Sequence, residues 1–132
     1  MKISEIPVET SERYELVSIT EQVRRAVEDA GVHEGICIIA STHTTAAVTV
    51  NEDYDRDVPG DLASACRAFL GALDVRFEHA EGNSDSHFLT SLFGGSQTLL
   101  VREGGLDLGR WQGVFLAEFD GPRNRTVRVA IS

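Results

Sequence analysis

The chemistry-bearing side chains concentrate in one stretch, Glu78 to Ser96, reading EHAEGNSDSHFLTSLFGGS. It carries His79 and His87, the carboxylates of Glu78, Glu81 and Asp85, the amide of Asn83, and the hydroxyls of Ser84, Ser86 and Ser91, all about a turn at Gly82. Glu81 to Ser86 contains no apolar residue, so this run must lie at the surface or line a cavity. The histidines stand eight positions apart, too far for neighbouring helical turns, so His79 reaches in from a loop and His87 from the helix that follows. Two imidazoles converging in this way bind a metal when a third ligand arrives from elsewhere. A second chemistry is open to the same stretch: a polar loop running into a helix start presents free backbone N–H groups and the positive end of the helix dipole to an anion such as phosphate. The plain alternative is a capped surface helix whose histidines face water.

A third imidazole is on offer at His43, in Ser41-Thr42-His43-Thr44-Thr45, the joint between two expected strands. The end of a central strand is both rigid and accessible. His43, His79 and His87 together would make three neutral imidazoles with an open fourth position, the pattern of a catalytic rather than a structural metal site. His33, just after the first helix, is expected to face solvent. Asn51, Glu52, Asp53, Asp55, Asp57 and Asp61 crowd the start of the second helix. Helix-dipole stabilisation accounts for Asp53 and Asp55. Glu52 and Asp61 stay open between that explanation and a hard-oxygen magnesium site or a general base beside the histidines. Trp111-Gln112-Gly113 offers either a flat pocket wall with a polar handle or plain core filling. Glu118, inside VFLAEF, must pair, face water or belong to the site, because an isolated buried carboxylate is costly.

The elements that would position these groups follow from periodicity and turn chemistry. Residues 1–11 read as an extended lead-in and Arg13 to Ile19 as a strand. Thr20 is the expected N-cap of a helix whose Val23, Ala26, Val27 and Ala30 share one face and which ends at Gly31. Gly35 to Ala40 is a continuous apolar run, as for a strand covered on both faces, and Ala46 to Val50 follows as a strand. A second helix starts at Pro59, with Asp57 or Val58 before it, and carries Leu62, Cys66, Phe69, Leu70 and Leu73. A third is capped by Ser84 or Asp85 and ended by Gly94-Gly95. Gln97 to Val101, Val114 to Phe119 and Thr126 to Ile131 complete the strands. The order is β-α-β-β-α-(β)-α-β-β-β, a single α+β domain over residues 1–132 with mostly antiparallel strands and about three helices.

Composition bounds the rest. A chain of 132 residues buries roughly two-thirds of the surface its unfolded form exposes, enough to fold without staples. Cys37 and Cys66 lie in apolar segments at no metal or redox spacing, and so read as buried free thiols in a reducing compartment. With no signal peptide and no apolar run long enough to cross a bilayer, the expectation is a cytoplasmic protein. A net charge of −9 excludes nonspecific binding to nucleic acid or an anionic membrane, but not a small anionic ligand. Eleven of the twelve cationic side chains are arginines, so a phosphate clamp here would be made of guanidinium groups.

Taken together, STHTTAAVTVNEDYDRDVPGDL, HAEGNSDSHFLTSLFGGS and LGRWQGVFLAEFDGPRNRTVRV resemble the YjbQ-like family, an uncharacterised protein family also labelled secondary thiamine-phosphate synthase. The resemblance runs from about residue 12 onward through His-Thr-Thr-Ala-Ala, Asn-Glu, His-x-x-Gly-Asn-x-x-x-His and Trp-Gln-Gly. It implies a compact α+β sandwich that assembles as a homotrimer, with a metal- or anion-binding pocket near subunit contacts. The family's polar positions fall on His43, Asn51, Glu52, Asp61, His79, Gly82, Asn83, His87, Ser96, Trp111 and Gln112. After the glycine the chain reads Asn83-Ser84-Asp85-Ser86, a departure from its relatives' usual pattern. The label implies joining a pyrimidine diphosphate to a thiazole phosphate with loss of pyrophosphate, in which a cation neutralises the leaving group. On that reading His43, His79 and His87 hold a divalent metal or the diphosphate, Glu52 transfers a proton, Asn83 and Ser84 take phosphate, and Trp111 stacks on the pyrimidine. Three imidazoles suit zinc or another transition metal better than magnesium. The alternative is a non-catalytic, trimeric small-ligand or anion-binding module.

Overall fold

Six of the seven residues of the strand Gln112–Glu118 (β7) are buried, in the sequence QGVFLAE. A strand apolar on both sides must be covered on both, and the rest of the chain supplies the two covers. The computed structural model describes residues 1–79 and 81–132. The remaining strands are β1 (Lys2–Glu9), β2 (Glu15–Ser18), β3 (Gly35–Ser41), β4 (Ala46–Glu52), β5 (Ser96–Arg102), β6 (Gly105–Asp107) and β8 (Asn124–Ile131), with helices α1 (Thr20–Ala30), α2 (Asp57–Gly71) and α3 (Ser84–Phe93). They form a five-stranded sheet, β1-β8-β3-β5-β6, and a three-stranded sheet, β2-β7-β4. Every pairing in these sheets is antiparallel.

Side-chain alternation along β7 splits the interior in two. Val114 and Leu116 point to the larger core, which they share with Ala46 and Val48 of β4, Cys37 and Ile39 of β3, Val127, Val129 and Ile131 of β8, and Val23 and Val27 of α1. Phe115, Ala117 and Phe119 point the other way, against Tyr14, Leu16, Ala47, Cys66 of α2 and Leu89 of α3. The five-stranded sheet therefore covers one side of the small sheet, and α2 with α3 covers the other. This is the α+β domain with mostly antiparallel strands and three helices that the sequence predicts.

Several local expectations shift. The lead-in is an eight-residue strand, because β1 pairs with β8 along its whole length, from Lys2 opposite Ile131 to Glu9 opposite Asn124. That partner is the far end of the chain, invisible to a local window. Ile19, not Thr20, stands at the N-cap of α1. The Thr20 hydroxyl instead accepts the Val114 N–H (2.9 Å) and donates to Asp53 Oδ2 (2.6 Å), so a tertiary partner has displaced the local cap. Helix α2 opens two residues before Pro59, which costs nothing because first-turn N–H groups have no intrahelical acceptor. Neither Ser84 nor Asp85 caps α3; Asn83 occupies that position without a side-chain cap bond. Between α2 and α3 no strand forms among the described residues, and β6 is a short addition after the Gly104 turn. Cys37 and Cys66 are buried free thiols, and burial pushes the Cys37 thiol up to about 11.

Gly113 marks the tightest constraint on β7. A Cβ there would overlap the Asp53 side chain and the Thr20 hydroxyl, the two groups that tie β4, α1 and β7 together. Gly113→Ala is expected to destabilise the domain by about 1–3 kcal/mol, the usual cost of overpacking a filled site. A urea melt checks this, and a wild-type midpoint would contradict it.

Candidate functional site

The joint between β3 and β4 is stapled before any ligand is considered. Ser41 Oγ donates to the Ala46 carbonyl (2.7 Å) and accepts the His43 N–H (3.1 Å), closing Thr42 to Thr45 into a tight turn. The turn is then docked on β8: Thr42 Oγ1 donates to the Thr126 carbonyl (2.9 Å), and the Thr126 N–H donates to His43 Nε2 (2.9 Å). A backbone N–H needs a lone pair to accept it, so His43 is neutral there with its proton on Nδ1. Its pKa is accordingly lowered, first by burial and then by the Arg125 charge, against an opposing pull from Glu118.

Beneath this turn lies the one charge pair almost wholly withdrawn from water among the described residues. Glu118 has no solvent exposure and Arg125 is only 5% exposed. Glu118 Oε1 accepts Thr10 Oγ1 (2.7 Å) and Arg125 Nε (2.8 Å); Oε2 accepts Arg125 Nη2 and the N–H groups of Phe119 (3.1 Å) and Asp120 (3.2 Å). Arg125 Nη2 also donates to Thr45 Oγ1 (2.9 Å). Gly121 lets the backbone close over this network, since a Cβ there would run into the Glu12 carbonyl, Glu118 Cγ and Thr10 Oγ1.

Helix α3 brings the third wall. Ser86 Oγ donates to the Phe119 carbonyl (2.6 Å), and Asn83 Nδ2 donates to Asp120 Oδ2 (2.9 Å), which also takes Arg123 Nη2 (2.9 Å). Asp85 points away, bound to Arg13 and Tyr14; the tyrosine hydroxyl donates to it at 2.5 Å. Burial and this carboxylate push the Tyr14 phenol up to about 12. The result is an open cavity of about 310 Å³ lined by Thr42, His43, Thr44 and Thr45 from the β3–β4 turn, Glu81, Asn83 and His87 from the start of α3, and Asp120, Arg123 and Arg125 from β7–β8.

His43, His87 and Asn83 are thus brought to one cleft, and His79 stands against His87, their rings edge to face with centroids 5.5 Å apart. His79 Nε2 lies 3.8 Å from Glu81 Oε2. Gly82 (φ +71°) supplies the turn just before this wall, and Ser84 is the first residue of α3. Among the described residues no three His, Cys, Asp or Glu side chains are set to hold a metal. His43 has already committed Nε2 to Thr126, so the three-imidazole set expected from the sequence is not assembled, and His79 and His87 remain as a neighbouring pair.

The other expected residues lie elsewhere. Asn51, Glu52, Trp111 and Gln112 line a separate hollow with Val50. It sits at the far end of β4, whose seven residues separate it from His43 by roughly 20 Å at strand rise. Within one chain Glu52 is therefore no base beside the histidines. Trp111 is no core filler: it is exposed, meets Tyr54 edge to face at 4.7 Å and has the Arg110 guanidinium over its ring. Asp53 and Asp55 are structural, Asp53 accepting from Ser18 and Thr20, and Asp55 from the Asp57 N–H. Asp61 is exposed on α2, and Ser96 is exposed at the start of β5. Sequence reasoning missed Asp120, Arg123 and Arg125 in the cleft lining, and named Glu81 and Thr45 only as members of their segments. The signal for Arg125 was Glu118 itself, a carboxylate in an apolar strand that demanded a cation nearby.

Two stacked antiparallel sheets, backed by two helices and opening a polar cleft at the β3–β4 turn, define the class of domain. The model of the UPF0047 protein YjbQ-like family matches residues 4–132, and the chain belongs to that family. A UPF0047 protein of Methanocaldococcus jannaschii is 44% identical, the match covering 94% of this chain and 89% of that one. YugU of Bacillus subtilis is 39% identical over 92% of each. A crystal structure of an uncharacterised YjbQ/UPF0047 protein from Clostridium acetobutylicum superposes with a TM-score of 0.92 at 39% identity, covering 98% of this chain and 99% of that one. A Sulfolobus solfataricus protein described as of unknown function gives 0.91 at 36% identity, over 98% and 95%. Among the described residues no helix is long and apolar enough to cross a membrane.

The His43 geometry carries a pH signature. The unfolded chain binds a proton at the ordinary value of 6.5 and the folded chain resists it. The stability His43 contributes is therefore present above about pH 6.5 and is lost as pH falls toward its lower folded value. In His43→Gln the amide oxygen can still accept the Thr126 N–H but cannot titrate. Between about pH 7.5 and 5.5 the wild type should lose more stability than this variant; equal losses in urea melts would contradict the assignment.

Proposed function

We propose that this chain is a metal-assisted enzyme acting on a small phosphorylated substrate in the His43–His87 cleft. The specific reaction suggested by the family resemblance is the coupling of a pyrimidine diphosphate with a thiazole phosphate. The observation that carries the proposal is the make-up of the cleft: His87 and Glu81, with His79 against His87, at the α3 side, and His43, threonine hydroxyls, two guanidinium groups and Asp120 at the other. The first half suits a cation and proton transfer, the second an anion.

His79 and His87 are the residues that would hold a divalent metal, with a further ligand from the substrate or a neighbouring subunit completing the set, and their imidazole content favours zinc or another transition metal over magnesium. Such an ion would supply charge neutralisation for a departing diphosphate. The chain's own residues do the rest. His43, neutral and fixed by Thr126, keeps one N–H at Nδ1 to donate to an oxygen of the substrate. Asn83 and Ser84 remain the loop residues proposed to meet phosphate, and Asn83 does line the cleft.

Homotrimer assembly belongs to the same proposal. It is supported by the outer face of the five-stranded sheet, which leaves Ile3, Ile36 and Leu100 exposed to water. Asn51, Glu52, Trp111 and Gln112 would then act at a subunit boundary, as polar residues grouped in a hollow of their own.

Incubating the protein, purified without a histidine tag, with both substrates and a series of divalent metals tests the enzyme reading through pyrophosphate release. His79→Ala and His87→Ala should each lower kcat/KM by about 10-fold or more at a fixed metal concentration and raise the metal concentration needed. Unchanged turnover in both variants would remove these assignments. Ligand binding without product under any metal would favour the non-catalytic module.

A further inference from the structure

We propose that the β7–β8 wall of the cleft is a preformed oxyanion subsite, in which Arg125 and Arg123 each present their free Nη1 edge to a phosphate or diphosphate group. The proposal rests on the reading of the cleft as a substrate site and adds the residues and the ligand group that reading lacks. Arg125 is almost wholly buried, yet its hydrogen bonds use only Nε and Nη2, to Glu118 and Thr45. Nη1 makes no hydrogen bond among the described residues. Arg125 nevertheless lines the cleft, which places this guanidinium at its wall.

Arg123 repeats the arrangement. Nε donates to the Asp120 carbonyl (2.8 Å) and Nη2 to Asp120 Oδ2 (2.9 Å), while Nη1 has no partner among the described residues. The two carboxylates thus hold the guanidinium groups by one edge and leave the other edge directed by the protein rather than by water. A planar guanidinium fixed in this way loses little freedom when an oxyanion arrives, and phosphate oxygens are its best-matched acceptors. The net charge of −9 rules out a general attraction for anions, so recognition must come from these local donors.

A phosphate group near neutral pH, with its second ionisation near pH ~6, supplies the anionic oxygens that these donors lack, while Asn83 Oδ1, sealed from solvent, takes no part in the subsite.

The test is titration of the full-length protein with inorganic pyrophosphate and with inorganic phosphate, followed by calorimetry and by ³¹P line shapes. Wild type should bind one anion per chain. Arg123→Gln, a substitution at a half-exposed side chain, should weaken binding about tenfold or more, the scale of one lost charge-assisted bond. Arg125→Lys keeps a buried cation but removes the fork, and should weaken binding at least as much in a protein whose melt shows it folded. Arg128→Gln, at an exposed arginine paired with Glu5 away from the cleft, should bind the anion within a few-fold of wild type. Wild-type affinity in both arginine variants would overturn the subsite, as would no anion binding at millimolar concentration in a protein that turns over phosphorylated substrates. Anion binding that depends on the arginines, with no turnover of any phosphorylated compound, would leave the subsite standing and remove the enzyme reading instead.

Discussion

A carboxylate without water must find every hydrogen bond it needs in the protein around it, and Glu118 imposes that demand on the centre of this fold. It arises from β7. The strand is buried on both faces, so a charge at its end has no route to solvent. The donors come from Thr10 beyond β1, from Arg125 on β8, and from the backbone of Phe119 and Asp120. Arg125 then reaches Thr45 in the β3–β4 turn. One ion pair thereby connects the edge of the large sheet, the end of the small sheet and the turn that carries His43.

Such a pair is a poor way to gain stability. Desolvating two ions takes back most of what their attraction supplies, and apolar residues of the same volume would often serve as well or better. What the pair does provide is direction. Its bonds have fixed lengths and angles, whereas an apolar contact leaves neighbouring loops free to slide. The docking of Thr42 and His43 on Thr126, and of Ser86 on the Phe119 carbonyl, surrounds the same centre. The walls of the cleft are consequently set by hydrogen bonds within the protein, before a ligand is present, as preorganised chemistry requires.

The fold also spaces its polar groups along a single ruler. Strand β4 starts beside the histidine cleft and ends beside Trp111 and Gln112, so residues close in the sequence, such as His43 and Glu52, stand at opposite poles. Asp53 belongs to the second pole only as a structural tie, through Ser18 and Thr20. The acids before α2 therefore divide between fastening the fold and lining an exposed hollow, and none of them joins the imidazoles within one chain.

Local pattern in the amino-acid sequence was enough to determine the three helices, the strand character of β3 and β7 and the α+β class, because periodicity acts over a few positions. It overstated the cover on β3, where Cys37 and Ile39 are buried but Ile36 on the other face is exposed. The family resemblance likewise rested on short ordered motifs. Tertiary structure alone decided that residues 2–9 are a strand, since their partner β8 is at the other end of the chain. It alone decided that Thr20 braces Asp53 and β7 instead of capping α1, and that Arg123 and Arg125 belong to the cleft while Glu52 does not. The physical reason is the same in each case: a hydrogen-bonding group is satisfied by the partner nearest in space, and long-range sheet pairing, not distance along the chain, determines which partner that is.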